Sequence, residues 1–136
     1  MIIRLETKDD YFKVEELTRE AFWNLYTTGC DEHYLCHILR DHQDFIKELD
    51  YVAEIDGNII GSIMYSKSFL IGDDEEMIQT VSFGPLCVHP DYQRKGIGTA
   101  LIEKTKMMVQ EMNIPAIIIY GDPHNYCKHG FKNGID

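Results

Sequence analysis

The sequence predicts one mixed α/β (α+β) domain over residues 1–136, with a mostly antiparallel sheet and flanking helices. Three observations carry this prediction. The turn signal DGN at 56–58 stands between two apolar runs, which is typical of a β-hairpin. A long strand pattern follows over 77–88. The helical pattern over 96–112 then leads into the continuous apolar run 116–120, which predicts a β-α-β unit with two parallel strands.

The first third of the chain is predicted to supply one strand and two helices. Residues 2–5 form the short first strand. From Asp9 to about Asn24, apolar residues recur at helical spacing, and Asp9 or Asp10 is expected to cap this helix. A second helix is predicted over 31–42. Its inner face is expected to carry Tyr34, Leu35, Ile38 and Leu39, and the helix over 96–112 is expected to pack through Ile97, Leu101, Met108 and Met112.

The middle of the chain is predicted to be a meander of long strands. The runs 51–55 and 59–71 form the hairpin, and the acidic loop 72–76 connects it to the strand 77–88. Gly84-Pro85 interrupts that strand, and because proline has no N–H to give to a ladder, we expect a bulge there.

Composition and charge exclude several classes of protein. A net charge of −10 argues against nucleic acid as a partner, because phosphate binding needs a basic face. No apolar run approaches the roughly 20 residues of a membrane-spanning helix, and the first residues lack the pattern of a signal peptide. The four cysteines form no CxxC pair, so free buried thiols are expected, with disulfides as the alternative. We therefore expect a cytoplasmic protein.

The stretch VSFGPLCVHPDYQRKGIG at 81–98 carries most of the functional information. Gly96 and Gly98 allow backbone N–H groups to come close to an anion, and the following helix directs its free N–H groups and positive dipole end to the same place. Arg94 and Lys95 add positive charge beside them. This combination predicts a site for a phosphorylated cofactor. The alternative is a helix-start turn that binds nothing.

Two motifs in this order resemble those of the GNAT superfamily of N-acetyltransferases. Residues 88–98, VHPDYQRKGIG, match the acetyl-CoA motif V-x-P-x-x-Q/R-x-x-G-x-G/A. Residues 126–131, YCKHGF, are similar to the later Y-x-x-x-G-F signature. The resemblance extends over nearly the whole chain in the order of its elements. It implies a transferase, and more narrowly an acyltransferase, of the GNAT acyl-CoA N-acyltransferase fold.

The resemblance also implies where acetyl-CoA, the co-substrate, would bind. In this family two parallel central strands splay apart around it, here 77–88 and 116–120. One backbone N–H, assigned to Leu86, would polarise the thioester carbonyl. The residues implied in cofactor binding are Leu86, Cys87, Val88, Gln93, Arg94, Lys95, Gly96, Ile97, Gly98, Thr99 and Asn125.

The implied reaction is direct attack of a primary amine on the acetyl group in a ternary complex. Tyr126 occupies the position from which a family tyrosine protonates the departing thiolate, as a general acid; the alternative is a tyrosine that only packs. The general base stays open among Asp122, His124, Glu75 and Glu76, whereas His89 is interpreted as part of the loop scaffold. A non-catalytic acyl-CoA-binding or sensing module is the alternative function.

The acceptor is expected to be an amine on a small molecule or a peptide, which the sequence does not identify. The second helix borders the acceptor side of the family fold, so the resemblance implies candidate contacts at Tyr26, Asp31, Glu32, His33 and Tyr34, with His124 added from the later loop; a solvated helix end is the alternative. His33 and His37 share a helix face, but the HExxH order is missing, so no metal is expected. The family fold continues with a final hairpin after the tyrosine signature. Since the sequence ends at Asp136, we expect that hairpin to be missing, leaving either a homodimer that covers the edge of strand 116–120 or a weakened acceptor pocket.

Overall fold

The computed structural model describes residues 1–22 and 32–119. The strands and helices of this part of the chain are β1 (Ile2–Leu5), α1 (Tyr11–Phe22), α2 (Glu32–Leu39), β2 (Tyr51–Ile55), β3 (Asn58–Ile71), β4 (Met77–Val88), α3 (Ile97–Glu111) and β5 (Ile117–Ile118). Short 3₁₀ turns precede α1, β2 and the connection to α3, at Lys8–Asp10, Lys47–Leu49 and Pro90–Tyr92. The predicted fold class is confirmed.

The strands form one five-stranded sheet in the order β1-β2-β3-β4-β5. Every neighbouring pair is antiparallel except β4 and β5, which are parallel with Val81 opposite Ile117 and Ser82 opposite Ile118. The predicted parallel pair is therefore confirmed. Strand β5 covers Ile117–Ile118 of the predicted run 116–120, whose last residue lies outside the described residues.

The hairpin prediction is confirmed by the backbone of its turn. Asp56 and Gly57 have φ values of 51° and 81°, which is the left-handed pair that a tight two-residue hairpin turn requires. The bulge is confirmed as well. Tyr65 pairs with Phe83 and Ile63 with Leu86, so one residue of β3 faces the two residues Gly84 and Pro85.

Helix α3 packs on one face of the sheet through a stripe that the sequence predicted only in part. Ile97 and Leu101 are buried as expected, but Met112 is 39% exposed. The stripe continues instead through Ile102, Thr105 and Val109. The reason for the buried threonine is a hydrogen bond of 2.7 Å between its hydroxyl and the Tyr65 hydroxyl of β3.

Helix α1 covers the other face, where Val14 and Leu17 pack against Val52, Ile59 and Cys87. The expected capping of this helix by Asp9 or Asp10 is wrong. The Asp10 carboxylate is directed towards the preceding residues and not towards α1. It accepts from the Thr7 N–H at 2.8 Å, which closes the 3₁₀ turn that precedes α1. It also lies 2.7 Å from an Arg4 guanidinium nitrogen, which explains its burial.

The predicted inner face of α2 is wrong. Tyr34, Leu35 and Ile38 are 61%, 48% and 45% exposed. The helix packs instead through the buried Cys36 and, just past its end, through Arg40, whose side chain is 6% exposed. Arg40 is buried because it donates two hydrogen bonds to the Glu6 carboxylate and lies over the Tyr11 ring. No helix of the described ranges is long and apolar enough to cross a membrane.

Candidate functional site

Strand β4 extends beyond β5, and in the described part of the chain this leaves one edge of β4 without a partner strand. The Val81 N–H donates to the Ala116 carbonyl at 3.2 Å, so this edge of β4 faces β5. Pairing with β5 ends at Ser82, and among the described residues no strand pairs with this edge from Phe83 to Val88. An open strand edge of this kind can accept an extended ligand through its backbone N–H and C=O groups.

The bulge determines which residues face that opening. The His89 N–H donates to the Ile60 carbonyl of β3 at 2.8 Å. Because hydrogen-bonding direction alternates along a strand, the backbone groups of Leu86 and Val88 are directed away from β3, to the side of β5. Without the extra residue at Gly84-Pro85, the alternation that starts at Val81 would have turned them towards β3.

Cys87 faces the opposite way from its two neighbours. Its thiol is buried, 3.2 Å from the Ser62 hydroxyl and 3.5 Å from the Thr18 hydroxyl. Burial raises the pKa of the Cys87 thiol. The same alternation directs the Cys87 backbone groups towards β3, so Leu86 and Val88, but not Cys87, direct backbone groups to the open edge.

A loop over residues 93–96 lies between the turn Pro90–Tyr92 and α3, and two of its residues have a left-handed backbone conformation. Arg94 has a φ of 65° and Gly96 a φ of 82°, and α3 begins at Ile97. The first backbone N–H groups of a helix have no partner inside the helix, so those of Ile97, Gly98 and Thr99 are directed out of its N-terminus. Alternating left-handed residues before such an end form a concave surface that suits an anion.

The side chains of this loop divide between core and solvent. Ile97 is 3% exposed and lies in the core, so only its backbone can serve a ligand. A Cβ built on Gly98 would lie 3.7 Å from Val88 Cγ2, an ordinary contact, so the protein itself leaves room for a methyl group there. Arg94, Lys95 and Thr99 are exposed. Gln93 reaches back, and its Nε2 lies 3.5 Å from the Val88 carbonyl oxygen on the open edge.

His89 acts as a scaffold residue of this loop, as the sequence interpretation expected. Its Nδ1 accepts from the Asp91 N–H at 3.1 Å, and its carbonyl accepts from the Tyr92 N–H at 2.8 Å. Its Nε2 lies 3.1 Å from a carboxylate oxygen of Glu20 on α1. The sequence did not predict this link to α1, because Glu20 is distant in the chain and stands on the polar side of its helix.

Several expected site residues lie elsewhere. Glu75 and Glu76 lie at the far end of β4, roughly 30 Å along the strand from Leu86, so they are excluded as the base that would serve a group bound there. His37 Nδ1 is 2.8 Å from Glu15, and no group of three metal-binding side chains exists among residues 1–22 and 32–119. Tyr26, Asp122, His124, Asn125 and Tyr126 lie outside the described residues, and Glu32 and His33 are placed only as the start of α2.

Comparison with known proteins identifies the family of this chain. The model of the acetyltransferase (GNAT) domain matches residues 47–133. The uncharacterized N-acetyltransferase YhbS of Escherichia coli strain K12 is 30% identical over 133 residues, which cover 97% of this chain and 74% of that protein. A GNAT family acetyltransferase from Brucella melitensis, solved in complex with acetyl-CoA, is similar with a TM-score of 0.81 and 29% identity over 97% of this chain and 82% of its own. The structure of Escherichia coli YhbS in complex with CoA has a TM-score of 0.81 and 28% identity over 96% of this chain and 68% of its own.

Proposed function

This chain belongs to the GNAT acetyltransferase family, and we propose that it moves an acetyl group from acetyl-CoA to a primary amine by direct attack in a ternary complex. The observation that carries the proposal is the continuity of the open β4 edge with the loop that starts α3. Leu86 and Val88 offer backbone groups on that edge, and the loop begins five residues after Val88. Solved relatives at 28–29% identity carry CoA or acetyl-CoA.

The edge of β4 would hold the pantetheine arm as an added strand. The Val88 and Leu86 backbone groups supply the hydrogen bonds, in the manner of strand addition. The Leu86 N–H would donate to the thioester carbonyl oxygen. A donor aimed at this oxygen stabilises the negative charge that develops on it during attack.

The loop would hold the pyrophosphate. Its anion-binding groups are the N–H groups at the start of α3, the left-handed positions Arg94 and Gly96, and the exposed Arg94 and Lys95 side chains. Gln93 and Thr99 border the same surface. In a chain of net charge −10, this is a local concentration of positive charge.

The chemical step needs an unprotonated amine and a proton for the leaving group. The amine nitrogen bonds to the acetyl carbon, the C–S bond breaks, and Tyr126 gives its phenolic proton to the departing thiolate. The proton lost by the amine goes to water or to a base, for which Asp122 and His124 are the remaining candidates. Tyr126 enters this proposal through the family signature at 126–131.

The acceptor, assembly and location follow from charge and chemistry. The acidic surface favours a cationic acceptor, such as an amine-bearing small molecule or a peptide amine, and disfavours nucleic acid. The acceptor contacts are Tyr26, Glu32, His33 and His124.

Free thiols at Cys36 and Cys87 favour a reducing compartment, which we take to be the cytoplasm. A second copy covering the outer edge of β5 would give a homodimer.

Isothermal titration calorimetry with acetyl-CoA tests the proposal first, with adenosine as the control for non-specific purine binding. We expect binding on the order of micromolar for the whole cofactor and none for adenosine. Release of the CoA thiol is then measured against a panel of primary amines. Release that requires an amine supports the transferase. Binding without release on any amine favours an acyl-CoA-binding module, and no binding overturns the proposal.

A further inference from the structure

We propose that His89 is a positioning residue for the loop before α3, and that Glu20 of α1 holds it in place, so that α1 contributes to cofactor affinity without touching the cofactor. The inference rests on the proposed function, because the loop matters only if it binds the pyrophosphate of CoA.

Both ring nitrogens of His89 have defined partners. Nδ1 faces the Asp91 backbone N–H at 3.1 Å, and an N–H can only donate, so Nδ1 accepts. In the neutral ring the proton then sits on Nε2, which lies 3.1 Å from a Glu20 carboxylate oxygen. Glu20 therefore selects the tautomer that leaves Nδ1 free to cap the turn Pro90–Tyr92.

The contacts continue from this turn into the loop. The His89 ring packs edge-on against the Tyr92 ring at a centroid distance of 5.8 Å. The Lys95 ammonium lies over the Tyr92 ring, 5.3 Å from its centre. A series of contacts thus leads from Glu20 through His89 and Tyr92 to Lys95, a cation of the proposed pyrophosphate site.

The surroundings of the Glu20–His89 pair argue against a packing role. Two cavities of about 390 and 560 Å³ adjoin the pair, and both residues belong to the walls of both cavities. The Glu20 side chain is 60% exposed. Removing the pair therefore uncovers little core, whereas it frees the turn that leads to Arg94 and Gly96. A loop that must become ordered when the ligand binds lowers the affinity, whereas a loop that is already held in place does not.

The sign of one substitution separates positioning from simple electrostatics. Glu20 is an anion near a site for anions, so a purely electrostatic role predicts that Glu20→Ala tightens CoA binding. A positioning role predicts the opposite, weaker binding, because the His89 ring loses its support. Glu16, one turn earlier on α1, lines the same cavities, but in the described part of the chain it makes no ion-pair contact with His89 such as Glu20 makes. Glu16→Ala is therefore the matched control.

The experiment measures CoA affinity by calorimetry at about 0.15 M salt, where exposed charges are screened, for the wild type, Glu16→Ala, Glu20→Ala, His89→Ala and the double variant of Glu20 and His89. We expect a Kd raised about five- to tenfold by His89→Ala, the scale of a lost turn cap, and less by Glu20→Ala. The double variant should lose no more than His89→Ala alone, because both act through one contact. His89→Asn should restore part of the affinity, since an Asn oxygen can also accept from the N–H two residues on.

Thermal unfolding of each unliganded variant distinguishes positioning from a general loss of stability. We expect midpoints close to that of the wild type. Unchanged CoA affinity of His89→Ala, tighter binding by Glu20→Ala, or affinity losses that follow the midpoint without rescue by His89→Asn would each overturn the inference while leaving the proposed function intact. Failure of the wild type to bind CoA would instead overturn the proposed function, and the inference with it.

Discussion

Gly61 of β3 and Ile97, the first residue of α3, lie so close that a Cβ on Gly61 would stand 3.0 Å from Ile97 Cγ2. The same Cβ would lie 3.2 Å from Leu101 Cδ1, one turn further along the helix. Gly61 is also the β3 partner of Val88, the last residue of the open edge. The missing side chain thus allows the start of α3 to lie on the sheet beside that edge, which brings the two halves of the proposed cofactor site together.

The first prediction concerns Gly61→Ala. The added methyl group would crowd the Ile97 and Leu101 side chains, which must shift by a few tenths of an ångström. We therefore expect the free energy of unfolding to fall by about 1–3 kcal/mol and CoA binding to weaken. Urea unfolding and calorimetry measure the two effects. Gly72→Ala is the control, because its Cβ would meet only the end of the Asp74 side chain closely, at 3.2 Å, in an exposed loop. Equal stability of both variants would show that α3 accommodates the methyl group.

The strands were predictable because local signals agree with the final structure there. The turn at 56–58 and the bulge each have a backbone requirement that glycine, aspartate or proline satisfies within a few residues. The strand 77–88 has the predicted bounds for this reason. The glycine loop was also recognisable, since its chemistry is contained in one continuous stretch.

The face of α2 was not predictable, because contacts distant in sequence determine it. Apolar periodicity favoured Tyr34 and Ile38 as buried residues. The structure instead buries the Arg40 side chain, whose charge is compensated by Glu6, a residue near the start of the sequence. The Glu20–His89 pair and the close approach of Gly61 to Ile97 are of the same kind. An isolated glycine in a strand pattern does signal a close approach, although it does not name the partner.

The second prediction concerns Gly98 and distinguishes an effect on protein stability from an effect on CoA affinity. Gly98→Ala places its Cβ in ordinary contact with Val88, and alanine favours helix, so stability should be kept or raised by up to about 1 kcal/mol. Gly98→Asp should in addition weaken CoA binding by about tenfold or more, through steric conflict and like charge at the helix start. Calorimetry on both variants checks this. Unaltered affinity of Gly98→Asp would mean that the loop is not the pyrophosphate site.

The third prediction concerns Arg94 and separates charge from backbone conformation. Glycine adopts a φ of 65° more easily than arginine, so Arg94→Gly keeps the shape of the loop and removes only the guanidinium. We expect CoA affinity to fall by about two- to tenfold at low salt and by less at high salt. Arg94→Lys, which keeps a charge, should retain most of the affinity. A loss that is the same at both salt concentrations would contradict an ionic role.

The fourth prediction concerns Tyr126→Phe, which removes the proposed acid and little else. Once an amine acceptor is found, kcat should fall by about two orders of magnitude or more, while the affinity for acetyl-CoA changes little. Tyr11→Phe is the matched control, because it also removes one phenolic hydroxyl, on α1, while keeping the ring that lies against Arg40. Steady-state kinetics together with calorimetry provide both quantities. Unchanged turnover would remove Tyr126 from the mechanism.

The fifth prediction is a pH dependence of stability that comes from a buried carboxyl pair. Asp50 is 4% exposed, and within the described part of the chain its Oδ1 has no hydrogen-bond partner. Burial, and then its hydrogen bond with Glu6, raise the pKa of Asp50 well above its usual range. Neutral Asp50 donates to the Glu6 side chain, which also accepts two hydrogen bonds from Arg40 at 2.8 and 2.9 Å.

The sign of the effect follows from proton binding. Above about pH 4 the unfolded chain ionises Asp50, whereas the folded protein keeps its proton, so the folded state binds more protons and stability falls as pH rises towards the folded-state pKa. Asp50→Asn removes this slope, at most about 1.4 kcal/mol per pH unit, because its amide can donate to Glu6 at every pH. Asp10 provides the opposite case: the hydrogen bond from Arg4 lowers its pKa, so its contribution is present above about pH 4 and lost below. Urea unfolding from pH 2 to 9 should therefore show Asp50→Asn gaining stability relative to wild type as the pH rises above about 4. The stability deficit of Asp10→Asn should instead be constant above about pH 4 and shrink below it. An unchanged slope in Asp50→Asn would mean that Asp50 is ionised in the folded protein.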